Sequence, residues 1–515
     1  MFYCSVSQVK NWILKDPLLD YLNFYGDKSL KSSPFFKEAD FTPFIMDMGN
    51  KWEEHVVKQL ITKASSLNLS HFSVERKQGY HQTKECLNKG VDIIFQAQVK
   101  DWKRNISGYP DILIKKKAFL TLFKDFTSSV NHELSKLKDN TYIVIDIKYS
   151  SVDSKDDGFV DEKSLYHRYI RSQIALYTNL NGAHSSIGFI ISKDPSSLTT
   201  PVATYTNDRC LIEDYEAAIK WLMDLKEFGS KWTIGCRKEL LPNMNNYMDD
   251  GWREYKQKIA EEHGELSLLN GVGDVLRSNL HSLGIFSYKD DNFINYIDKC
   301  DIGEKTKYLI KTLRNNLMEE KEDIDFSSLT SSSSLYSVMY VYVDIESCMK
   351  FSFDKTKSYI TSIAVKYNDL SVCFIKDGLT DETDIVRSFK DLLKNLSDKK
   401  DIVLVHYTST EENFFKNNNI NYTRIDLYDL VNKGINECNE SVLKLCKYDL
   451  TLKSLTSNFM YKKCFIKSGK EVLTLYNVFA LLPTNIKKEI IKYNIADCES
   501  LELLHKYFIK IGILI

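Results

Sequence analysis

The chain has 515 residues and balances 69 Lys and Arg against 70 Asp and Glu, for a formal net charge of −1. With 43% hydrophobic and 27% charged residues it reads as globular rather than disordered or fibrous, long enough for about three domains. The charge balance excludes nucleic-acid binding through overall basicity and leaves only local patches for it, while eleven widely spaced cysteines without a Cys-x-x-Cys pair exclude a disulfide framework, a zinc ribbon and most iron–sulfur sites.

The opening MFYCSVSQVKNWILKDP lacks an apolar core followed by small residues, and no apolar run is long enough to span a bilayer. The expectation is an intracellular protein, in cytoplasm or nucleus, away from membranes. Helical periodicity covers Ser5 to Tyr25, with Pro17 marking a change of helix. Met48 to Ala64 reads as an amphipathic helix with Trp52, Val56, Val57 and Leu60 on one side and Glu53 among them. From Gly90, GVDIIFQAQVKDW predicts one buried strand, followed by GYPDILIKKK and, after a connection helical only in part, YIVIDIKYS. These two β-rich runs deliver Asp111 and Asp146, and Lys148 shares a strand face with Asp146. Two carboxylates suit a hard divalent ion, and a neighbouring ammonium suits developing phosphorane charge or the attacking water. A loop from Ser151 to Asp161, a helix from Lys163 to Leu180, two short strands between Ser185 and Asn207 and a helix from Leu211 to Phe228 follow.

This order, with Pro110-Asp111 and Asp146-Ile147-Lys148, resembles the RecB-like branch of the PD-(D/E)XK nucleases over roughly the first 230 residues. The resemblance implies a restriction-endonuclease-like α/β domain, with Gly49 and the metal-side Glu53 on the first helix. Its GxDVIxQA strand stands here as Gly90 to Ala97, with a role in folding rather than chemistry. Its Q-x-x-x-Y helix is matched by Gln173 and Tyr177, four apart on one face. Gln173 would touch the metal-bound water or Lys148, and Tyr177 would contact nucleic acid. Lys103 and Arg104, with Lys100 before the PD strand, make a candidate basic patch.

Residues 231 to 326 are helix-rich. Within them LNGVGDVLRSNLHSLGI resembles a helix-hairpin-helix module, whose Gly271 and Gly273 would turn backbone amides toward phosphate; a protein-docking role fits equally. The run 327 to 337 is Ser-rich and reads as a linker. From 338 an α/β pattern resumes: a strand at Val338 to Val343, strands to Phe374, a helix from Asp381 to Leu396, a strand Ile402 to His406 and a last helix from Asn485 to Ile509. Asp344 and Glu346 share a strand face, and Tyr493 and Asp497 share a helix face. With Glu411 after the Ile402 strand, this resembles the DEDD exonucleases of the ribonuclease H-like fold, in a YprB-like form carrying glutamate where most members carry aspartate. The resemblance implies two Mg²⁺ or Mn²⁺ ions held by Asp344, Glu346, Glu411 and Asp497, with Tyr493 orienting water. Asp426 reads as a strand-end cap, and His406 as a structural residue.

The expectation is a multidomain α/β protein: a nuclease domain at 1 to 230, a helical connector at 231 to 326, a linker at 327 to 337 and an exonuclease domain at 338 to 515. The implied activity is metal-dependent phosphodiester hydrolysis, on DNA with single-stranded or free ends, in repair, recombination or replication beside a helicase or similar partner. A ribonuclease and an inactive nucleic-acid-binding scaffold are the alternatives. Abundant lysine, asparagine, isoleucine and tyrosine fit an AT-rich genome, such as that of a large DNA virus. Oligomeric state is not readable from the sequence.

Overall fold

The computed structural model describes residues 4–182, 185–319, 329, 338–350, 357–446, 450–456 and 464–514. The chain divides into two compact units, Met1–Lys31 with Pro43–Trp252, and Ser32–Thr42 with Arg253–Ile515. Apart from Leu329, the Ser-rich stretch at 327 to 337 lies outside the described residues. Residues 231–252, which the sequence groups with the helical connector, pack with the first unit. They bond into it: Asn246 Nδ2 donates to the buried Asp16 Oδ2 at 3.0 Å, and the buried Trp252 donates through Nε1 to Asn23 Oδ1 at 2.9 Å.

In the first unit, β1 (Cys4–Ser5), β4 (Val99–Asp101) and β5 (Ile106–Gly108) form a small sheet in the order β1-β5-β4. A six-stranded mixed sheet takes the order β2-β3-β6-β7-β8-β9, from His71–Ser73, Ile93–Phe95, Ile112–Lys115, Tyr142–Ile147, Ile187–Ile191 and Val202–Tyr205. Its central strands are apolar on both faces, as expected where helices or loops cover both sides. Ile112–Ile114, Ile143–Ile145 and Phe189–Ile191 are all buried.

The GVDIIFQAQVKDW run, expected as one strand, is two strands in two different sheets. Gln96 between them adopts φ 55°, a left-handed conformation that redirects the chain, and its N–H donates to Asp111 O at 2.7 Å. The first long helix is longer than its periodicity suggested, Phe41–Ser66. It accommodates Pro43 because N–H groups in a first helical turn have no partner within the helix. Trp52, Val56, Leu60 and Ala64 form its buried stripe, one helical turn apart.

In the second unit, Gly271 takes φ +97° in the turn before the helix Asp274–Ser282, and a Cβ there would press on Ile310 of the helix Glu304–Met318 at 3.2 Å. A five-stranded sheet follows, in the order β12-β11-β10-β13-β14, from Leu370–Ile375, Lys357–Tyr367, Met339–Lys350, Ile402–His406 and Thr423–Asp426. β10 pairs antiparallel with β11 and parallel with β13. Alternation along β10 sorts its side chains. Val341, Val343 and Ile345 join Phe389 and Leu393 of the helix Thr383–Ser397 in one core cluster. The intervening Tyr342, Asp344, Glu346 and Cys348 therefore belong to the opposite face, where Tyr342 Oη bonds His505 Nδ1 of the helix Thr484–Lys510 at 3.0 Å.

Two candidate carboxylate centres

The first centre forms where β6 and β7 run antiparallel with Ile112 opposite Ile145. One step further along that register, Asp111 lies beside Asp146, and Asp111 Oδ2 accepts the Ile147 N–H at 2.6 Å. The Asp146 carboxylate is buried, and a bare charge there would be costly. Lys148 supplies the counter-charge, its Nζ 2.6 Å from Asp146 Oδ2. Burial works against the Lys148 charge, but Asp146, Tyr169, Asp111 and Tyr177 together outweigh it and hold the ammonium well above its ordinary pKa. Asp111 is pushed well above the usual carboxylate range by burial, then by Asp146 and Glu53.

Glu53 reaches this group from the Phe41–Ser66 helix, where Gln96 Nε2 donates to its Oε1. One turn before it, Gly49 has open space where a Cβ would stand. The helix Leu165–Asn181 brings Gln173 and Tyr177, both buried, with Gln173 Nε2 donating to Tyr177 Oη at 3.2 Å. Gln173 Oε1 is buried without a hydrogen-bond partner, an acceptor of the kind that bound water satisfies. Burial pushes Tyr169, on the same helix, up to about 12. Gly108 makes room for the arrangement: a Cβ there would collide with the Tyr177 ring.

The second centre joins β10 to the Thr484–Lys510 helix. Ligand oxygens of Asp344, Glu346 and Asp497 lie within 4.8 Å of one another, a spacing able to hold a metal ion. Among the described residues no other group of three His, Cys, Asp or Glu ligands converges this way. Burial, then Asp497, Glu346 and Glu411, push Asp344 well above the usual carboxylate range. Glu346 is pushed up to about 8 by burial, Asp497 and Glu411, with Lys453 pulling the other way. Asn494 Nδ2 donates to Asp344 Oδ2 at 2.8 Å and is itself fixed through Oδ1 by Ser362 Oγ at 2.9 Å. Gly469 opens the helix Gly469–Val478 close beside the site, where a Cβ would stand 3.3 Å from Glu346 Oε2.

Of the residues singled out from sequence, Glu53, Asp111, Asp146, Lys148, Gln173 and Tyr177 gather in the first unit. Asp344, Glu346 and Asp497 gather in the second. Glu411 stands outside that trio, although it acts on both strand carboxylates through space. Its Oε2 accepts from Thr408 N and Oγ1 as the third residue of the helix Ser409–Asn417. Tyr493 is buried, with the Lys453 ammonium 5.2 Å from its ring centroid. Arg104 is occupied by Asp101, Glu216 and Asn179, whereas Lys103 is exposed. Gly273 precedes the Asp274–Ser282 helix with open space at its Cα. Asp426 caps the helix Leu427–Asn436, accepting from the Tyr428 and Asp429 N–H groups, and the buried His406 Nδ1 is 3.1 Å from Thr408 O.

Sequence reading missed Gln96, Asn494, Lys453 and Gly469. Gln96 was visible in the GVDIIFQA match and was assigned to folding. Asn494 adjoins Tyr493 and carried no separate signal.

Residues 341–509 match the RNase_H_2 family model, described as RNase_H superfamily. The match spans β10, the later strands of its sheet and nearly all of the Thr484–Lys510 helix, and so contains the Asp344–Glu346–Asp497 trio. No curated protein and no solved structure matches the chain. The C-terminal part is thus a ribonuclease H-like domain, which suggests nuclease-type chemistry on a nucleic-acid substrate. Among the described residues no helix is long and apolar enough to cross a membrane.

Proposed function

We propose that the chain is a metal-dependent nuclease with two hydrolytic centres, a RecB-like one in the first unit and a DEDD-type one in the second, acting as an exonuclease on single-stranded or free DNA ends. The observation that carries this reading is the convergence of Asp344, Glu346 and Asp497 within the segment that matches the RNase H superfamily. Asp344 and Glu346, both pushed up by burial and then by Asp497, fit a hard cation, because such an ion removes the repulsion that burial amplifies. Asp344, Glu346 and Asp497 would hold Mg²⁺ or Mn²⁺ there, with Glu411 at its edge, and Glu53, Asp111 and Asp146 would hold one in the first unit. Bound metal supplies charge neutralisation at the phosphate and a more acidic water.

The chain's own groups do the rest. Lys148 presents a permanent positive charge to the phosphate, and Gln173 Oε1 accepts a hydrogen from the attacking water. Asn494 holds Asp344 in one orientation, and Tyr493 orients water at the second centre. Gly271 and Gly273 open a helix start that grips the phosphate backbone without reading sequence. A place in repair, recombination or replication, with a helicase or a replication or repair protein as partner, belongs to the same reading, with RNA as the alternative substrate.

The test is digestion of end-labelled single-stranded DNA, duplex DNA and RNA in Mn²⁺ by wild type, Lys148→Ala, Asp344→Ala and the double variant. Loss of one product pattern in each single variant and of both in the double variant is the expected result. Binding without cleavage of any substrate by the wild type would replace the enzyme by a scaffold.

A further inference from the structure

Next to the first centre the chain exposes aromatic surface of a kind that a solvated face does not need. Trp102 is 53% exposed and Tyr109 39% exposed. Trp102 follows β4, and its ring meets Tyr80 of the helix Gly79–Lys89 edge-on at 5.9 Å. The Lys100 ammonium lies 5.6 Å from the Tyr80 centroid and 5.3 Å from that of Trp102, and Lys84 lies 5.7 Å from Tyr80. Two rings and two ammonium groups therefore share one patch. Tyr109 follows β5 directly, and Gln98 Nε2 donates to its hydroxyl.

The patch is held in place. Asp101 Oδ1 accepts from Lys103 N at 2.8 Å and Arg104 N at 3.2 Å, closing the hairpin tip. Arg104 then fastens that tip to two helices, through Glu216 of Arg209–Phe228 and Asn179 of Leu165–Asn181, the helix that also carries Gln173 and Tyr177. The Arg104 guanidinium, which sequence suggested for phosphate contact, is thus a staple. The distance to the carboxylates is short: Lys100 pairs with Ser107, four residues before Asp111, and Tyr109 is two residues before it. Fully extended, those separations are at most about 14 Å and 7 Å, the reach of a few nucleotides.

We propose that Tyr80, Trp102 and Tyr109, with Lys84 and Lys100, form a stacking platform that binds single-stranded nucleic acid and delivers it to the Asp111–Asp146 centre. Bases stack on exposed rings whatever their identity, and lysines between the rings meet the phosphates, so the platform binds strands without sequence preference. Duplex, whose bases are already stacked, gains nothing from the rings. The inference rests on the nuclease reading for its destination, and its binding claim stands separately.

The experiment uses the full chain in EDTA, fluorescein-labelled oligothymidylate, the matching RNA strand and a blunt duplex, read by anisotropy and by tryptophan emission. Trp102→Ala weakens single-strand binding about 10-fold and leaves duplex binding within 2-fold, whereas Trp102→Phe stays within about 3-fold of wild type. Lys100→Ala lowers the salt slope of single-strand binding by about one ion. Trp102 is the exposed tryptophan among the described ones, so its emission is quenched by wild-type binding and the quench disappears in Trp102→Phe. Thermal melts that match wild type establish that the variants fold. Equal single-strand affinity of wild type and Trp102→Ala, with no quench, overturns the platform even if Mn²⁺-dependent cleavage is intact. Ring-dependent binding by a chain that cleaves nothing in Mn²⁺ supports the platform and overturns the nuclease reading instead, and the RNA arm decides which sugar the platform accepts.

Discussion

The two carboxylate centres solve the same electrostatic problem in opposite ways. In the first, the buried Asp146 has its counter-ion two residues along the chain, with Lys148 Nζ 2.6 Å away. In the second, Asp344 and Glu346 of a strand meet Asp497 of a helix some 150 residues later, and burial with mutual repulsion pushes Glu346 up to about 8. The first centre therefore carries part of its neutralisation directly after the strand that holds Asp146. The second stores repulsion that protons or a cation must relieve. Lys148 offsets part of the repulsion at the first centre, where Asp146 and Glu53 still push Asp111 up, and the more distant Lys453 offsets part of it at the second.

The largest expected effect that sharpens this contrast comes from the charged partners. Lys148→Met leaves Asp146 buried without its ion pair, which costs about 3–5 kcal/mol of stability, while activity of the first centre falls about 10²–10³-fold. Asp344→Asn should lose second-centre activity to a similar degree yet raise the melting temperature measured in EDTA. Denaturant and thermal melts of both variants check the signs, and two equal losses of stability would break the comparison.

A pH series probes the same difference. Glu346 has a folded-state pKa of about 8, above its unfolded value, so the folded state binds the extra proton. The metal-free protein is then favoured by this group below about pH 4.5, and loses that contribution progressively as pH rises to about 8, by on the order of 5 kcal/mol. Glu346→Gln should flatten that slope in EDTA melts between pH 5 and 9. Saturating Mn²⁺ should flatten it in the wild type, because a bound cation replaces the proton.

Positioning groups come next. Gln96→Ala frees Glu53 and Asn494→Ala frees Asp344, and each should cost about 10–100-fold in activity or metal affinity at its own centre only. Titration of Mn²⁺ against the thermal shift separates the two, and loss at both centres from one substitution would show that they are not independent. The smallest effect belongs to Asp426→Ala, about 1 kcal/mol for a lost helix cap, with both activities unchanged. A large activity loss there would make Asp426 an accessory carboxylate after all.

How much of this was legible beforehand depended on whether the signal was local. The DIK and DIE patterns could be read directly, because strand alternation puts residues two apart on one face without knowledge of anything else in the fold. Gln173 with Tyr177 and Tyr493 with Asp497 were legible for the corresponding helical reason. Arg104 and Gln96 were read less well. Whether an arginine meets phosphate or Glu216 depends on a residue more than a hundred positions away. Whether a strand continues or turns at Gln96 depends on a backbone conformation, φ 55°, which glutamine seldom adopts.

The sequence by itself determined which side chains could act as pairs, since covalent geometry sets faces and spacing at short range. It also determined the apolar strands on which Asp146, Asp344 and Glu346 sit, Asp146 buried and the other two half-buried. Only the tertiary structure decided that Asp497 joins the strand carboxylates while Glu411 turns to Thr408, and that Gln96 and Asn494 hold carboxylates in place. Electrostatic energy depends on distance and on solvent exclusion, and both are properties of elements packed together rather than of neighbours along the chain.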